Sequence, residues 1–374
     1  MTTNLLPAIL IAGPPHSGKS VLSYLLSRRL REREVAHILL RAAPDGEGDW
    51  SYECPAEVRL RQRRKGVYTS RLLEDLLQAI RSRHLPMLVD IGGRPDAEQL
   101  RLLDACTHVI HLWREDDDRQ AWEAWLEARS LIPIAVLRTK LTPPDRLETD
   151  AGPLRGTITG LDRDNPQPGP LFERVLERVQ GICSYPPEVL EAEHLRRAPA
   201  DVPLLTVTQL ADAIGIRRPG EELWWAAEHL PAALERVPAG RPLAFYGRGP
   251  LWLAAALAAR VAPAKFYVFD ARFYGWMLPP RAILNSARDN REFTLAAQET
   301  EAGIRLRFDP RPQYHVLHPR PIHLPPLPAA APVTLDGKMP IWLIAALAQA
   351  LRDRPHLAAC DPRLGREVVF WRNP

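Results

Sequence analysis

Two stretches of this chain share one pattern, and that pattern limits what the second half can fold into. Gly247 to Ala258 reads Gly-Arg-Gly-Pro-Leu-Trp-Leu-Ala-Ala-Ala-Leu-Ala, and Gly337 to Ala348 reads Gly-Lys-Met-Pro-Ile-Trp-Leu-Ile-Ala-Ala-Leu-Ala. Glycine, a basic residue, proline, tryptophan and an Ala-Ala-Leu-Ala ending fall on the same places. An Asp-x-Arg follows each copy, at Asp270/Arg272 and at Asp361/Arg363. Two motifs at a near-constant offset mark an internal duplication. The C-terminal half is therefore expected to be two related small α/β domains, and the N-terminal half something else.

Each copy reads as a strand, a glycine turn, a helix and a second strand. The first runs through 243–246, 247–250, 251–260 and 266–269, the second through 333–335, 337–340, 341–352 and 357–360. Two strand ends then bring a basic glycine turn and an Asp-x-Arg to one edge, where open α/β sheets bind ligands. A glycine turn that opens a helix offers N–H groups to an anion, and arginine grips phosphate with two parallel donors. Gly247, Arg248, Asp270 and Arg272 form one candidate anion site, and Gly337, Lys338, Asp361 and Arg363 the other.

The N-terminal half carries a different signal. Ala8 to Ala12 is an apolar run that reads as a buried strand. It leads into Gly13-Pro14-Pro15-His16-Ser17-Gly18-Lys19-Ser20, and helical spacing follows from Val21. Strand, G-x-x-x-x-G-K-S loop and helix are the context that a phosphate-binding P-loop needs. Its N–H groups would cradle the phosphates of ATP, Lys19 would reach the β- and γ-phosphates, and Ser20 would hold Mg²⁺. Asp90 ends a second apolar strand, 86–90, and is either the acid partner of that metal or a cap for the glycine turn after it. Asp45 and Asp49 follow a strand over 35–40 and read as acceptor-facing carboxylates or as loop residues. The basic run Arg59, Arg61, Arg63, Arg64 and Lys65 is either an arm over the nucleotide or a solvated helix face. Apolar runs at 108–113 and 132–137, with helical patterns between, predict a parallel sheet with helices on both faces.

The chain has 374 residues, too many for one ordinary core. The boundaries fall at 1–195 for the P-loop domain and at 196–288 and 289–374 for the two copies. A net charge of +4 permits a polyanionic ligand without demanding one. The four cysteines, Cys54, Cys106, Cys183 and Cys360, are too scattered for a disulfide framework. No signal-peptide pattern is visible, and the longest apolar run, 251–259, is too short to cross a bilayer. A cytoplasmic protein without a membrane partner is expected.

Gly247-Arg-Gly-Pro-Leu-Trp and Asp361-Pro-Arg-Leu-Gly365 resemble the Csx-three family of CRISPR-associated ring nucleases over 223–374, taken as two copies. Members fused to a P-loop domain belong to that family. The resemblance implies cleavage of cyclic oligoadenylate, cyclic tetra-adenylate above all, with Mn²⁺, in subunits that stack into homo-oligomers and without binding duplex DNA. It further implies a catalytic His, Asp and Arg, which match His356, Asp361 and Arg363. In the first copy Ala264 and Lys265 stand where the His belongs, so that copy is expected to bind without cleaving. Without the resemblance, His356 would read as a helix cap and Asp361/Arg363 as a turn pair. Two other functions stay open: a cyclic-oligoadenylate sensor that switches a P-loop ATPase or kinase, and a small-molecule kinase whose C-terminal half only mediates assembly.

Overall fold

The computed structural model describes residues 6–43, 68–114, 116–142, 144–217, 223–271, 275–290, 293–310 and 320–373, with the side chains of 116–118 left out. Asp45, Asp49, the basic run Arg59 to Lys65, Cys54 and Arg272 lie outside the described residues. The chain divides into two compact units, Met1–Ala192 and Glu193–Pro374.

The first unit is a seven-stranded sheet with helices. Its elements are β1 (Ala8–Ala12), α1 (Lys19–Glu32), β2 (Ile38–Arg41), α2 (Ser70–Arg81), β3 (Met87–Asp90), α3 (Arg101–Asp104), β4 (His108–Trp113), α4 (Asp116–Glu127), β5 (Ile132–Thr139), β6 (Arg146–Thr149), β7 (Leu154–Ile158) and α5 (Pro170–Cys183). The strand order is β2-β3-β1-β4-β5-β7-β6, parallel throughout except for the antiparallel edge strand β6. Parallel strands covered on both faces read as unbroken apolar runs, and β1 is Ala-Ile-Leu-Ile-Ala with every residue buried. Its Ile9 and Ile11 pack with Leu22, Leu26 and Val175 of α1 and α5.

One boundary differs from expectation. β2 begins at Ile38, not Val35, because Val35 closes the end of α1. Glu34 takes φ 56°, its N–H donates to Arg31 O at 3.0 Å, and the Val35 N–H donates to Leu30 O at 2.9 Å. Those two bonds are a Schellman motif. The position that usually holds glycine holds Glu34 instead, which hid the stop signal.

The second unit holds α6 (Pro187–Arg196, which starts in the first), β8 (Leu204–Thr206), α7 (Val207–Ala213), α8 (Leu230–Glu235), β9 (Leu243–Tyr246), α9 (Leu251–Val261), β10 (Phe266–Asp270), β11 (Gly275–Met277), β12 (Ala282–Ile283), β13 (Phe293–Thr300), β14 (Gly303–Pro310), β15 (Ile322–His323), β16 (Val333–Asp336), α10 (Ile341–Ala350), β17 (His356–Asp361) and β18 (Arg366–Arg372). One sheet runs β11-β10-β9-β8 and a second β13-β14-β16-β17-β18, with a small β12-β15 pair. The duplicated pattern becomes β9-turn-α9-β10-β11 and β16-turn-α10-β17-β18, each with two parallel strands and an antiparallel return.

The halves are tied through exchanged helices. α9 packs against α10 and against β17 and β18, while α10 packs against β10 and β12. Both helices are apolar on every side, Ala254 to Ala259 and Trp342 to Ala348 being buried throughout, and a helix of that kind needs cover all round. Alanine lets the two backbones approach closely. The stretches 196–288 and 289–374 thus share a single hydrophobic core. Among the described residues no helix is long and apolar enough to cross a membrane.

Candidate functional site

In the first unit, the loop between β1 and α1 has the backbone that a P-loop sequence requires. A Cβ on Gly13 (φ 140°) would lie 2.0 Å from Leu112 O, so no side chain fits there. Gly18 caps α1 in the left-handed region, and the Ser17 hydroxyl donates to Pro14 O at 2.9 Å. Pro14 and Pro15 meet the turn after β3, and His16 lies exposed at the loop tip. Lys19 is 7 % exposed, and its Nζ donates back to Pro14 O at 2.6 Å. Burial pushes the Lys19 ammonium down to about 8, against the attraction of Asp90.

Asp90 ends β3 beside Ile11 of β1, one strand from the glycine loop. It does not face the loop alone. Arg41 at the end of β2 reaches it, Nη1 to Oδ2 3.1 Å, with both side chains over nine-tenths buried. Ser20, in the first turn of α1, completes the set of residues read as nucleotide and metal contacts. A hydroxyl and a carboxylate are the hard oxygen donors that Mg²⁺ takes together with phosphate oxygens and water, so the residues fit that ion.

If this loop takes ATP, as its sequence predicts, the binding is expected to take up protons. Below pH 8 Lys19 is charged in both the folded and the unfolded chain, and burial of that charge costs stability. The cost is relieved as pH rises from about 8 toward 10.5. Phosphates beside Nζ restore the charged form, so calorimetry at pH 8.5 in buffers of different ionisation heat should show proton uptake that Lys19→Ala removes. Tight ATP binding with no buffer dependence contradicts the assignment.

In the second unit the two turns are alike. Gly247 and Gly337 take φ 114° and 107°, and a Cβ on Gly337 would meet Phe308 O at 2.5 Å. Arg248 and Lys338 beside them are exposed. β9 lies parallel to β10 and β16 to β17, so each turn sits at the same carboxyl edge as Asp270 or Asp361. The sequence foresaw this pairing of turn and acid.

Asp361 is the hub of the second copy. Its Oδ1 accepts the Arg363 N–H at 2.9 Å and Nε–H at 3.2 Å, and its Oδ2 accepts Arg363 Nη2–H at 2.8 Å. Oδ2 also accepts the Trp252 Nε1–H at 2.8 Å, a bond from α9 of the first copy to the acid of the second. Burial alone would raise Asp361, but the hydrogen bonds from Arg363 and Trp252 outweigh it and hold the carboxyl at about 2. Trp342 and Asp270, both buried, hold the corresponding places in the other copy. The Arg363 guanidinium lies 5.5 Å from the Trp224 ring centroid. Its side chain stays 44 % exposed, so Asp361 fixes its direction while the Nη1 side remains open to a ligand.

His356 is not part of this cluster. It opens β17, opposite Arg372, whereas Asp361 closes the strand opposite Arg366. Five residues of strand put the two roughly 17 Å apart. Within one chain the expected His, Asp and Arg therefore do not converge, and Asp361 orients Arg363, not the histidine. Nor does His356 cap a helix, since α10 ends six residues before it.

Trp224 and His194 went unread in the sequence, and Trp252 was read only as part of the repeated motif, not as a site residue. His194 of α6 bonds Tyr246 OH through Nδ1 at 2.9 Å and lies 4.3 Å from the Phe269 ring, beside the first copy's edge. The signal for Trp252 was present: an indole N–H in an all-apolar helix has to find an acceptor when buried.

Replacing Trp252 with Phe removes one donor from a buried carboxylate and is expected to lower stability by about 1–3 kcal/mol at pH 7. Asp361, held below its usual 3.8, contributes stability above pH 4 that fades as pH falls toward 2. Urea melts of parent and variant should therefore converge in acid. A constant gap down to pH 2.5 contradicts the bond.

Residues 310–373 match the family model of the CRISPR-associated protein (Cas_csx3). The matched segment contains Gly337, Lys338, His356, Asp361 and Arg363. Among curated proteins no relative matches the chain. Among solved structures the chain is similar to chloroplast FtsY from Physcomitrella patens, at 14 % identity and a TM-score of 0.28, over 46 % of this chain and 65 % of that one. Less than two thirds of that neighbour's length is spanned.

Proposed function

We propose that the C-terminal unit is a ring nuclease that cleaves cyclic oligoadenylate, with cyclic tetra-adenylate its first substrate, and so ends the signal that this messenger carries in type III CRISPR antiviral defence. The P-loop unit binds ATP with Mg²⁺, through Lys19, Ser20 and Asp90, in a coupled or regulatory role. The observation that carries the reading is the Asp361-held Arg363 at a duplicated glycine-turn edge, inside the segment that matches a CRISPR-associated family.

The glycine turns at Gly247 and Gly337, with Arg248 and Lys338, supply N–H groups and cations to the ring phosphates. Asp270 and Arg272 supply the first copy's share of the contacts. The adjacent ribose 2′-OH or a water attacks phosphorus, and the P–O5′ bond breaks. Arg363 stabilises the charge that builds on the non-bridging oxygens, Asp361 positions Arg363, and a general acid–base group moves the proton. Mn²⁺ does not fit at Asp361 as it stands. Both carboxylate oxygens already accept hydrogen bonds, and among the described residues no three His, Cys, Asp or Glu gather as a metal site.

A second reading makes the C-terminal unit a sensor and the P-loop unit its ATPase or kinase output. One observation favours it: Asp90 is locked to Arg41 and Lys19 to Pro14 O, a resting arrangement that a switch would release. Labelled cyclic tetra-adenylate incubated with the full chain, with and without ATP and Mn²⁺, separates the two. Linear products support cleavage. An intact ring with ligand-stimulated ATP hydrolysis moves the assignment to the sensor, and neither activity overturns both.

A further inference from the structure

Alternation along the strands assigns the two faces of the first unit's sheet to different tasks. Ala135 and Leu137 of β5 and Leu154 and Ile158 of β7 join the core with Val175 and Leu176 of α5. The residues between them, Val136, Arg138, Arg155 and Thr157, face the other way. On that side lies a cleft of about 570 Å³, the size of a small-molecule site.

The cleft has a chemistry of its own. Among the described residues Arg119, Arg138, Lys140, Arg146 and Arg155 line it against a single acid, Glu148. The strand registers set Trp113, Arg138, Thr157 and Arg146 side by side on β4, β5, β7 and β6, a cross-strand row roughly 14 Å long. At one end the Arg119 and Arg138 guanidiniums lie 4.8 and 5.2 Å from the Trp113 ring centroid. Planar cations layered with an indole form the kind of platform on which a nucleobase stacks. Arg119 is neutralised in part by Glu123 at 2.7 Å, and in sequence Asp116 to Asp118 open α4 at this same end. Toward the other end, where Glu148 lies on β6 two residues from Arg146, Lys140, Arg146 and Arg155 make no ion pair among the described residues.

We propose that this sheet face is a second nucleotide-binding site, separate from the P-loop. It takes a nucleoside phosphate with the base stacked at the Trp113–Arg138 end and the phosphates across Arg146 and Arg155. The inference does not rest on the ring-nuclease reading. An aromatic platform at one end and unpaired cations at the other match a molecule with a flat ring at one end and anions at the other. Free nucleotides and single-stranded RNA share that chemistry.

The test uses the full chain carrying Lys19→Ala, so that the P-loop is silenced, and 4-thiouridine triphosphate as photo-crosslinking probe. The label is expected on a peptide within 113–157. Arg146→Glu and Arg155→Glu sit on exposed strand positions, and each should weaken the probe about tenfold by setting a like charge against phosphate. UTP should compete better than inorganic triphosphate, and a short oligouridylate that competes better than UTP identifies the occupant as a strand. Circular dichroism checks that the variants are folded, with Lys140→Glu as a further exposed reversal should either fail. Labelling only outside 113–157, no labelling at all, indifference of the folded variants, or equal competition by triphosphate overturns the proposal.

Discussion

Arg363→Ala is expected to lower the turnover of cyclic tetra-adenylate about 100- to 1,000-fold, the usual cost of losing one preorganised donor to a developing oxyanion. The chain should still fold, at a cost of about 1–3 kcal/mol for the charged donor that the buried Asp361 loses. The side chain is 44 % exposed, and Asp361 keeps its bond from Trp252. Arg363→Lys should rescue little, because an ammonium cannot reproduce the fork that binds Asp361 with Nε and Nη2 while leaving Nη1 for phosphate. Asp361→Ala acts on the position of the arginine and not on its charge. It frees Arg363 and leaves the Trp252 indole buried without its acceptor, so turnover and stability fall together. Rate measurements at saturating ligand, beside urea melts, separate the two. Parental turnover in a folded Arg363→Ala chain removes the arginine from the chemistry.

Much of this arrangement was legible in the sequence, for local reasons. A glycine at positive φ, a helix opened by proline and a strand that ends in Asp are short-range signals. The two turns, β9, β10, β16, β17 and the strand, glycine loop and helix over β1 and α1 were all readable from residues a few places apart. The exchange of α9 and α10 was not, because the pattern of a duplicated unit is the same whether its helix lies on its own sheet or on its neighbour's. One clue was on view. Helices with no polar face, such as Trp342 to Ala348, cannot be buried by one small sheet. The Trp252–Asp361 bond escaped for the same reason, since it spans the two copies. The Arg41–Asp90 pair escaped because its partners sit on adjacent strands 49 residues apart.

The separation of His356 from Asp361 leads to the other large effect. Both belong to β17, but at opposite ends, and roughly 17 Å of strand cannot be closed by side chains within one chain. If His356 transfers the proton, it serves a ligand held by Arg363 of another chain, and the ring is cut between stacked subunits. His356→Ala and Arg363→Ala chains are then each expected to be nearly inactive. Mixed in equal amounts after dissociation, they should recover roughly a quarter of parental turnover, since half the pairs are mixed and each mixed pair rebuilds one of its two sites. The recovery should grow with protein concentration, because it depends on assembly. Full activity in His356→Ala assigns the histidine to the strand end alone and gives the proton transfer to another group. Two inactive variants that stay inactive on mixing place all the chemistry within one chain, and the distance along β17 would then have to be closed by a rearrangement of the strand itself.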